Sequence, residues 1–249
     1  MQTELIIDGI RDLDPYAVGT VNDGRIGYYA SKRILDFCLA IIASVLLSPL
    51  MVLIAVLIKL DTSGPVFFIQ ERVGARRMSR NGVSYWQQCI FRCYKFRTMI
   101  CNADPSIHQA YVKALIQNDC EQMAALQGQP TPITKLINDP RVTRFGRFLR
   151  KCSLDELPQL INILKGEMSL VGPRPAIPYE VEMYKPWQRG RLETKPGVTG
   201  LWQVTARSTA TFDEIIKLDI QYIEKQSLWL DLNILLKTPL VVISCKGAV

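Results

Sequence analysis

The segment Ser153-Leu154-Asp155-Glu156-Leu157-Pro158 sets two carboxylates side by side where helix-start signals converge. Ser153 and Glu156 have capping-box spacing. That frame makes Pro158 the fifth helical residue, where it costs a hydrogen bond. A start near Asp155 seats Pro158 better. In either frame Asp155 and Glu156 occupy the first turn, where unpaired amides and the helix dipole favour anions. The bland reading is that both are only cap residues. The chemical reading is that Asp155 is a nucleophile toward an activated phosphoryl group, with Glu156 an oxygen ligand for Mg²⁺, which also binds phosphate oxygens. A diphosphate needs cations to neutralise it. Arg174, fixed between Pro173 and Pro175, is the best candidate for a bidentate grip on phosphate. Lys95, Arg97, Arg150 and Arg207 follow, each equally readable as a surface or structural residue. Neither a glycine-rich dinucleotide motif nor a GxxxxGK[ST] loop is present, so neither of those cradles holds a nucleotide here.

Other chemistries are poorly supplied. Of the seven cysteines only Cys89 and Cys93 lie close in sequence, and no second close pair completes a zinc site. Scattered free thiols suit a reducing compartment. His108 is the single histidine, which leaves no two-histidine metal site, and it reads as a helix-surface or packing residue.

The elements that must carry these residues begin with a membrane-sized one. Phe37–Ile58 is 22 residues without a charge, enough helix to cross a bilayer core. Pro49, preceded by Ser48, should bend it, and the Ser48 hydroxyl can satisfy a carbonyl that the proline frees. Basic residues flank both ends, Lys32 and Arg33 before, Lys59 and Arg72 after, so both ends prefer the cytoplasmic side. A re-entrant helix and a spanning helix both remain open on these grounds. The net charge is +7, and residues 31–100 hold ten basic against three acidic side chains. An anionic membrane surface is a natural partner for that excess. A nucleic acid is the other, but the long uncharged run has no purpose in that role.

Residues 1–30 are acidic and turn-rich, lack a signal-peptide pattern, and read as a loose polar arm. Val66–Gln70 reads as a strand broken by Gly74, residues 75–88 as a basic loop, and 90–99 as a partner strand. Asp104-Pro105 opens a helix expected to reach about Leu126. Thr143–Lys151 is a basic stretch with interleaved apolar residues. Pro158–Leu164 is a short helix closed by Gly166, and 172–200 is a Pro- and Gly-rich loop region. Thr211 and Glu214 form a capping box for a helix from 212 to about 225. The apolar run 228–243 packs in the core or lies on the bilayer, with Trp187, Trp202 and Trp229 as candidate interface anchors.

Several ordered motifs together resemble the bacterial sugar transferases, monotopic phosphoglycosyl transferases that act on polyprenyl phosphate. They are KR at 32–33, SP at 48–49, QERVG at 70–74, YKFRTM at 94–99, NDPRVTRFGRFLRKCSLDELPQLINILKGEMSLVGPRP at 138–175, and KPGVTGLWQV at 196–205 with Arg207. The resemblance covers roughly residues 28–245. It implies an α/β, mostly helical, membrane-associated catalytic domain with a kinked re-entrant N-terminal membrane helix and amphipathic interface helices. The implied boundaries are a polar arm at 1–30, the re-entrant helix at 31–60 and the catalytic domain at 61–249, a short form of the family. Asp155 would attack the β-phosphate of a UDP-sugar, release UMP and pass the phosphosugar to undecaprenyl phosphate, with Mg²⁺ at Glu156. Lys95 and Arg174 would bind phosphate or shape the site. The implied setting is the cytoplasmic face of the bacterial inner membrane, in contact with lipid, at the first membrane step of exopolysaccharide, capsule or O-antigen synthesis. A homodimer is left open. Two stretches depart from the family, 75–91 and an added helical segment at 100–137, and neither is expected to touch the core motifs. The competing class is a noncatalytic membrane adaptor, in which replacing Asp155 would be silent.

Overall fold

The uncharged run folds as part of one helix, α1 (Ile26–Asp61), in the computed structural model, which describes residues 14, 16–21, 23–80, 82–127, 139–206 and 210–243. At 36 residues, α1 is about 54 Å long. It runs as one continuous helical element through Pro49. The proline has no N–H to offer the Val45 carbonyl, and the Ser48 hydroxyl donates to that carbonyl instead, at 2.8 Å. Val45, Leu46 and Leu60 are 67%, 72% and 77% exposed, so α1 is not the core helix of a soluble domain.

One stripe of α1 is nevertheless buried: Lys32, Asp36 and Ala40 before Pro49, Ile54 and Ile58 after it. Lys32 pairs with Asp231 at 2.8 Å. Asp36 accepts from the Ser169 hydroxyl at 2.7 Å and from the Leu170 N–H at 3.1 Å. Arg33 donates to the Ile163 and Leu164 carbonyls. Ile54 and Ile58 pack with Phe96 and Leu149. Both halves of the helix are thus fastened to the same domain.

The fold is mixed and mostly helical. Its larger sheet has the antiparallel order β1-β3-β2. β1 (Ala17–Thr20) belongs to the arm expected to be loose, and pairs with β3 from Ala17↔Gln87 to Thr20↔Tyr85. β2 (Phe67–Arg80) and β3 (Val83–Phe96) pair without a break from Phe67↔Phe96 to Arg80↔Val83. The loop expected at 75–88 is therefore the far half of a long hairpin. Gly74 does not end the strand. A Cβ there would stand 3.1 Å from the Phe91 ring, so the glycine makes room for a cross-strand neighbour. The turn comes at Gly82 (φ +77), in an Asn-Gly dipeptide that is itself a hairpin signal.

The single helix expected to about Leu126 is two, α2 (Ser106–Gln117) and α3 (Cys120–Gln127). Asp104 caps the first by accepting from the Ser106 N–H at 2.9 Å. Asn118 stops it in the left-handed region (φ 55), which asparagine tolerates, and Asp119 restarts the chain by accepting from the Gln122 N–H. α4 (Arg144–Lys151) is capped by Thr143, whose hydroxyl accepts from the Gly146 N–H. A 3-10 turn (Leu154–Gln159) leads into α5 (Leu160–Lys165), closed at Gly166 as expected. The region expected as loop at 172–200 holds short elements: α6 (Pro178–Glu182), a 3-10 turn (Pro186–Leu192) and β5 (Gly197–Thr199). Prolines open the two helical pieces, where a missing N–H costs nothing. β5 pairs in parallel with β4 (Ser169–Val171).

α7 (Leu201–Thr205) and α8 (Phe212–Glu224) follow, the latter with the expected Thr211–Glu214 capping box. The last helix, α9 (Leu228–Ile243), buries Asp231 and Ile234 and exposes Trp229, Leu236 and Leu240 at 70–74%. α4 likewise exposes Phe148 beside Arg144, Arg147 and Lys151. α4 is strongly amphipathic, whereas α9 is apolar on nearly every face. Of the tryptophans, Trp202 is buried while Trp187 and Trp229 are exposed.

Candidate active site

Lys95, next to last in β3, and Glu156, in the 3-10 turn, meet at 2.8 Å between Nζ and Oε1. Both side chains are mostly buried, at 16% and 21% exposure. The fully buried Asn162 of α5 fixes their spacing. It accepts from the Tyr94 N–H and donates to the Arg92 carbonyl and the Glu167 carboxylate, which fastens α5 to the β3 backbone on either side of Cys93. On the other side, Gly146 lets α4 lie against the Thr98 backbone, which a Cβ would strike. Between these supports Ser153 turns the chain with φ +56. No side-chain cap bond forms there, so of the two frames the Ser153 capping box is not the one adopted, and Asp155 and Glu156 stand in the first turn as both frames require. A non-glycine residue in the left-handed region is uncommon and concentrates at functional turns.

The hairpin register puts a second cation on the same face as Lys95. Phe68 pairs with Lys95, Gln70 with Cys93 and Arg72 with Phe91, so Lys95, Cys93 and Arg72 share a side of the sheet. Arg72 is buried, donates to the Pro175 carbonyl at 2.8 Å and to Gln70 at 2.6 Å, and lines one small pocket with Lys95, Glu156 and Arg174. Burial first, then the like charge of Arg174, lowers its pKa from the usual arginine value. The sequence reading counted Arg72 only among the flanking charges of the membrane helix. Its signal was the register of the QERVG and YKFRTM motifs as one hairpin. The Arg174 guanidinium makes no side-chain hydrogen bond to any described residue, while its carbonyl accepts from the buried Arg191. Cys93 is the nearby thiol, and burial pushes its pKa up, so it is a poor nucleophile beside the carboxylates.

Arg150 donates through Nε to the Thr98 hydroxyl at 2.9 Å. Burial lowers its pKa and the Asp155 charge raises it, so Arg150 faces Asp155 electrostatically. Arg97 goes elsewhere. Its guanidinium takes the Thr62 and Ser63 carbonyls just past the end of α1. β3 ends at Phe96, so the two-residue alternation that would set Arg97 beside Lys95 no longer applies. Arg207 lies outside the described residues. The pocket also receives Gln159 and Gln203, whose Oε1 atoms are buried and accept no hydrogen bond among the described residues. The segment at 100–137, expected to stand clear of these motifs, does not. Cys101 accepts from the Arg97 guanidinium at 3.0 Å, and the Asp104 carbonyl accepts from Arg141.

The description "Bacterial sugar transferase" belongs to the family whose sequence pattern matches residues 27–245. The chain belongs to this family. It is similar to the galactosyl transferase CpsE of Streptococcus agalactiae serotype III (strain NEM316), at 43% identity over 225 residues, 90% of this chain and 44% of that protein. It is 42% identical over 217 residues to the undecaprenyl-phosphate galactose phosphotransferase of Salmonella typhimurium (strain LT2), covering 87% of this chain and 41% of that protein. The chain thus spans less than half the length of these two relatives. It is also 41% identical over 218 residues to the exopolysaccharide production protein ExoY of Rhizobium meliloti (strain 1021), covering 88% of each. In this chain the matched span takes in all of α1 but Ile26, the hairpin and every pocket-lining residue named above, while β1 precedes it.

Proposed function

We propose that this sugar transferase moves a phosphosugar from a UDP-sugar to undecaprenyl phosphate through a covalent intermediate on Asp155. The reading is carried by one arrangement: Glu156, next in the chain to Asp155, lines a small pocket together with Lys95, Arg72 and Arg174. The names of the relatives, a galactosyl transferase and an undecaprenyl-phosphate galactose phosphotransferase, support the same donor and acceptor classes. An Asp155 carboxylate oxygen bonds to the β-phosphorus as the bond to the bridging oxygen breaks, and UMP leaves with the electron pair. A phosphate oxygen of undecaprenyl phosphate then attacks the same phosphorus and releases the carboxylate. Arg174 and Arg72 neutralise the diphosphate, and Arg174 can grip two oxygens at once. Lys95 holds Glu156 in place before substrate arrives. Arg150 steadies the charge of Asp155.

Mg²⁺ fits the donors present. Glu156 offers a carboxylate, and Gln159 and Gln203, whose buried Oε1 atoms accept no hydrogen bond among the described residues, line the same pocket. Among the described residues no three His, Cys, Asp or Glu side chains gather into a full cage. A hard ion that keeps waters and shares substrate phosphates suits so sparse an oxygen set. Bound there, Mg²⁺ would offset charge on the diphosphate.

The enzyme works on this reading at the cytoplasmic face of the bacterial inner membrane, with α1 dipping in and returning. Support comes from the attachment of both halves of α1 to one domain, and from basic residues at both its ends. The exposed apolar faces of α1 and α9 and the basic, aromatic face of α4 complete a lipid-contacting side. The product opens the repeat unit of an exopolysaccharide, capsule or O-antigen. Purified chain, undecaprenyl phosphate, Mg²⁺ and a panel of UDP-sugars test the reading by UMP release. Release with at least one donor is expected, and silence across the panel would refute it.

A further inference from the structure

Beside its cations Arg72, Lys95 and Arg174, the pocket is lined by two neutral side chains, Gln159 and Gln203. Gln159 belongs to the same 3-10 turn as Glu156, three residues further on. At three residues per turn such positions eclipse, about 6 Å apart along the axis. Gln159 therefore stands over Glu156 on one face of the turn, and it is only 2% exposed. Gln203 reaches the pocket from α7. Its Nε2 donates to the Val198 carbonyl at 3.1 Å, which fixes which end of the amide is the oxygen. Gly200 leaves room for that oxygen, since a Cβ there would lie 3.0 Å from it.

Both Oε1 atoms are buried and accept no hydrogen bond among the described residues. A buried acceptor without a donor is costly, and two in one pocket call for a donor from outside the chain. The diphosphate cannot supply it. Its oxygens only accept, and they turn to the guanidiniums. Glu156, the diphosphate and water are ligands enough for Mg²⁺. A neutral amide also brings no charge to offset the three cations that line the same pocket. The uncharged, hydroxyl-bearing part of the donor is the better match. The sugar is joined directly to the β-phosphate, so an acceptor one turn from Glu156 lies within its span.

We propose that Gln159 and Gln203 bind the sugar being transferred, each accepting a hydrogen bond from one of its hydroxyls. This rests on the phosphosugar-transfer reading and names the residues that hold the transferred group. A site built around such contacts rejects a sugar that leaves one of them unpaired.

The test uses the full chain in detergent with undecaprenyl phosphate and Mg²⁺. It compares wild type with Gln159→Met and Gln203→Met, since methionine is flexible, similar in size and lacks the amide. UMP release is measured with a panel of UDP-sugars, then with analogues of the best donor that each lack one hydroxyl. UMP is titrated as an inhibitor and Mg²⁺ as an activator. Each variant is expected to lower kcat/KM for the best donor roughly three- to ten-fold. One deoxy donor should cost wild type a similar factor and cost the matching variant almost nothing further, because the contact is already gone. The UMP inhibition constant and the Mg²⁺ concentration for half activation should stay unchanged. Losses that multiply for every deoxy donor would overturn the assignment. So would a UMP constant that rises by the same factor, which would put the amide on the nucleotide, or a raised Mg²⁺ requirement, which would make it a metal ligand. Gln203, only partly buried, carries the test alone if Gln159→Met does not fold. If wild type itself releases no UMP from any donor, the parent reading fails and this one with it.

Discussion

Lys95 and Glu156 are 61 residues apart in the chain and 2.8 Å apart in space. The contact joins the β2–β3 hairpin to the turn that holds Asp155. Removing one member of such a pair leaves the other charge poorly compensated, and the cost grows with burial. Lys95→Met is expected to reduce UMP release at least ten-fold while lowering the melting temperature only slightly, because both side chains keep some solvent contact. Steady-state kinetics with a thermal melt on the same sample checks this. Near-normal turnover would show that the pair has no part in the chemistry.

Arg191 is fully buried and contacts Asp219 at 2.7 Å, Tyr184 at 2.9 Å and the Arg174 carbonyl at 3.3 Å. Burial pushes the Asp219 carboxyl up to about 6, so the pair is still ionised at neutral pH. Arg191→Met should destabilise the chain by roughly 3–5 kcal/mol, because it strands a buried carboxylate. The double variant Arg191→Met/Asp219→Leu should recover a large part of that. Denaturant titration of the four forms decides it, and simple additivity would contradict the coupling.

His108 predicts a pH effect on stability. Its folded pKa is depressed from the usual 6.5 to about 4. Between those values the unfolded chain binds a proton that the folded chain does not. Stability contributed by the neutral ring is therefore present above about pH 6.5 and lost as the pH falls toward 4, by up to roughly 3 kcal/mol. Melting temperatures of wild type and His108→Gln should converge as the pH drops through that window. Parallel curves would mean that the ring titrates normally.

Much of this was legible in local sequence. The capping box at Thr211–Glu214, the stop at Gly166 and the Ser48-Pro49 device depend on neighbours within four residues. Asp155 and Glu156 could be singled out because cap preferences and phosphoryl chemistry favour the same residue types at one place. What was missed depends on pairing across the chain. Gly74 looked like a strand break because its cross-strand neighbour Phe91 is invisible in the local sequence. From sequence Arg97 reads as a candidate phosphate cation and Arg72 only as a flanking charge of the apolar helix. Strand register sends Arg72 to the pocket, while the end of β3 sends Arg97 to the Thr62 and Ser63 carbonyls. His108 reads as a helix-surface or packing residue, which its place on α2 and its bond to Tyr179 fit, although nothing nearby in sequence announced Tyr179.

The proposed re-entrant topology makes a prediction about sidedness. Gly27, in the first turn of α1 with open space around it, and the exposed Ser63, just past its last residue, mark the two ends of α1. Single cysteines at these two positions, in a background without the native cysteines, should both react with an impermeant maleimide from the cytoplasmic side only. Reaction from opposite sides would establish a spanning helix.

The most direct measurement is trapping. The full chain is incubated with Mg²⁺ and a UDP-sugar labelled in the β-phosphate, with no lipid acceptor, and digested for mass spectrometry. The expected result is one equivalent of phosphosugar on the peptide containing Asp155, discharged when undecaprenyl phosphate is added and absent from Asp155→Asn. Full transferase activity in Asp155→Asn, or label on a different residue, would contradict the account.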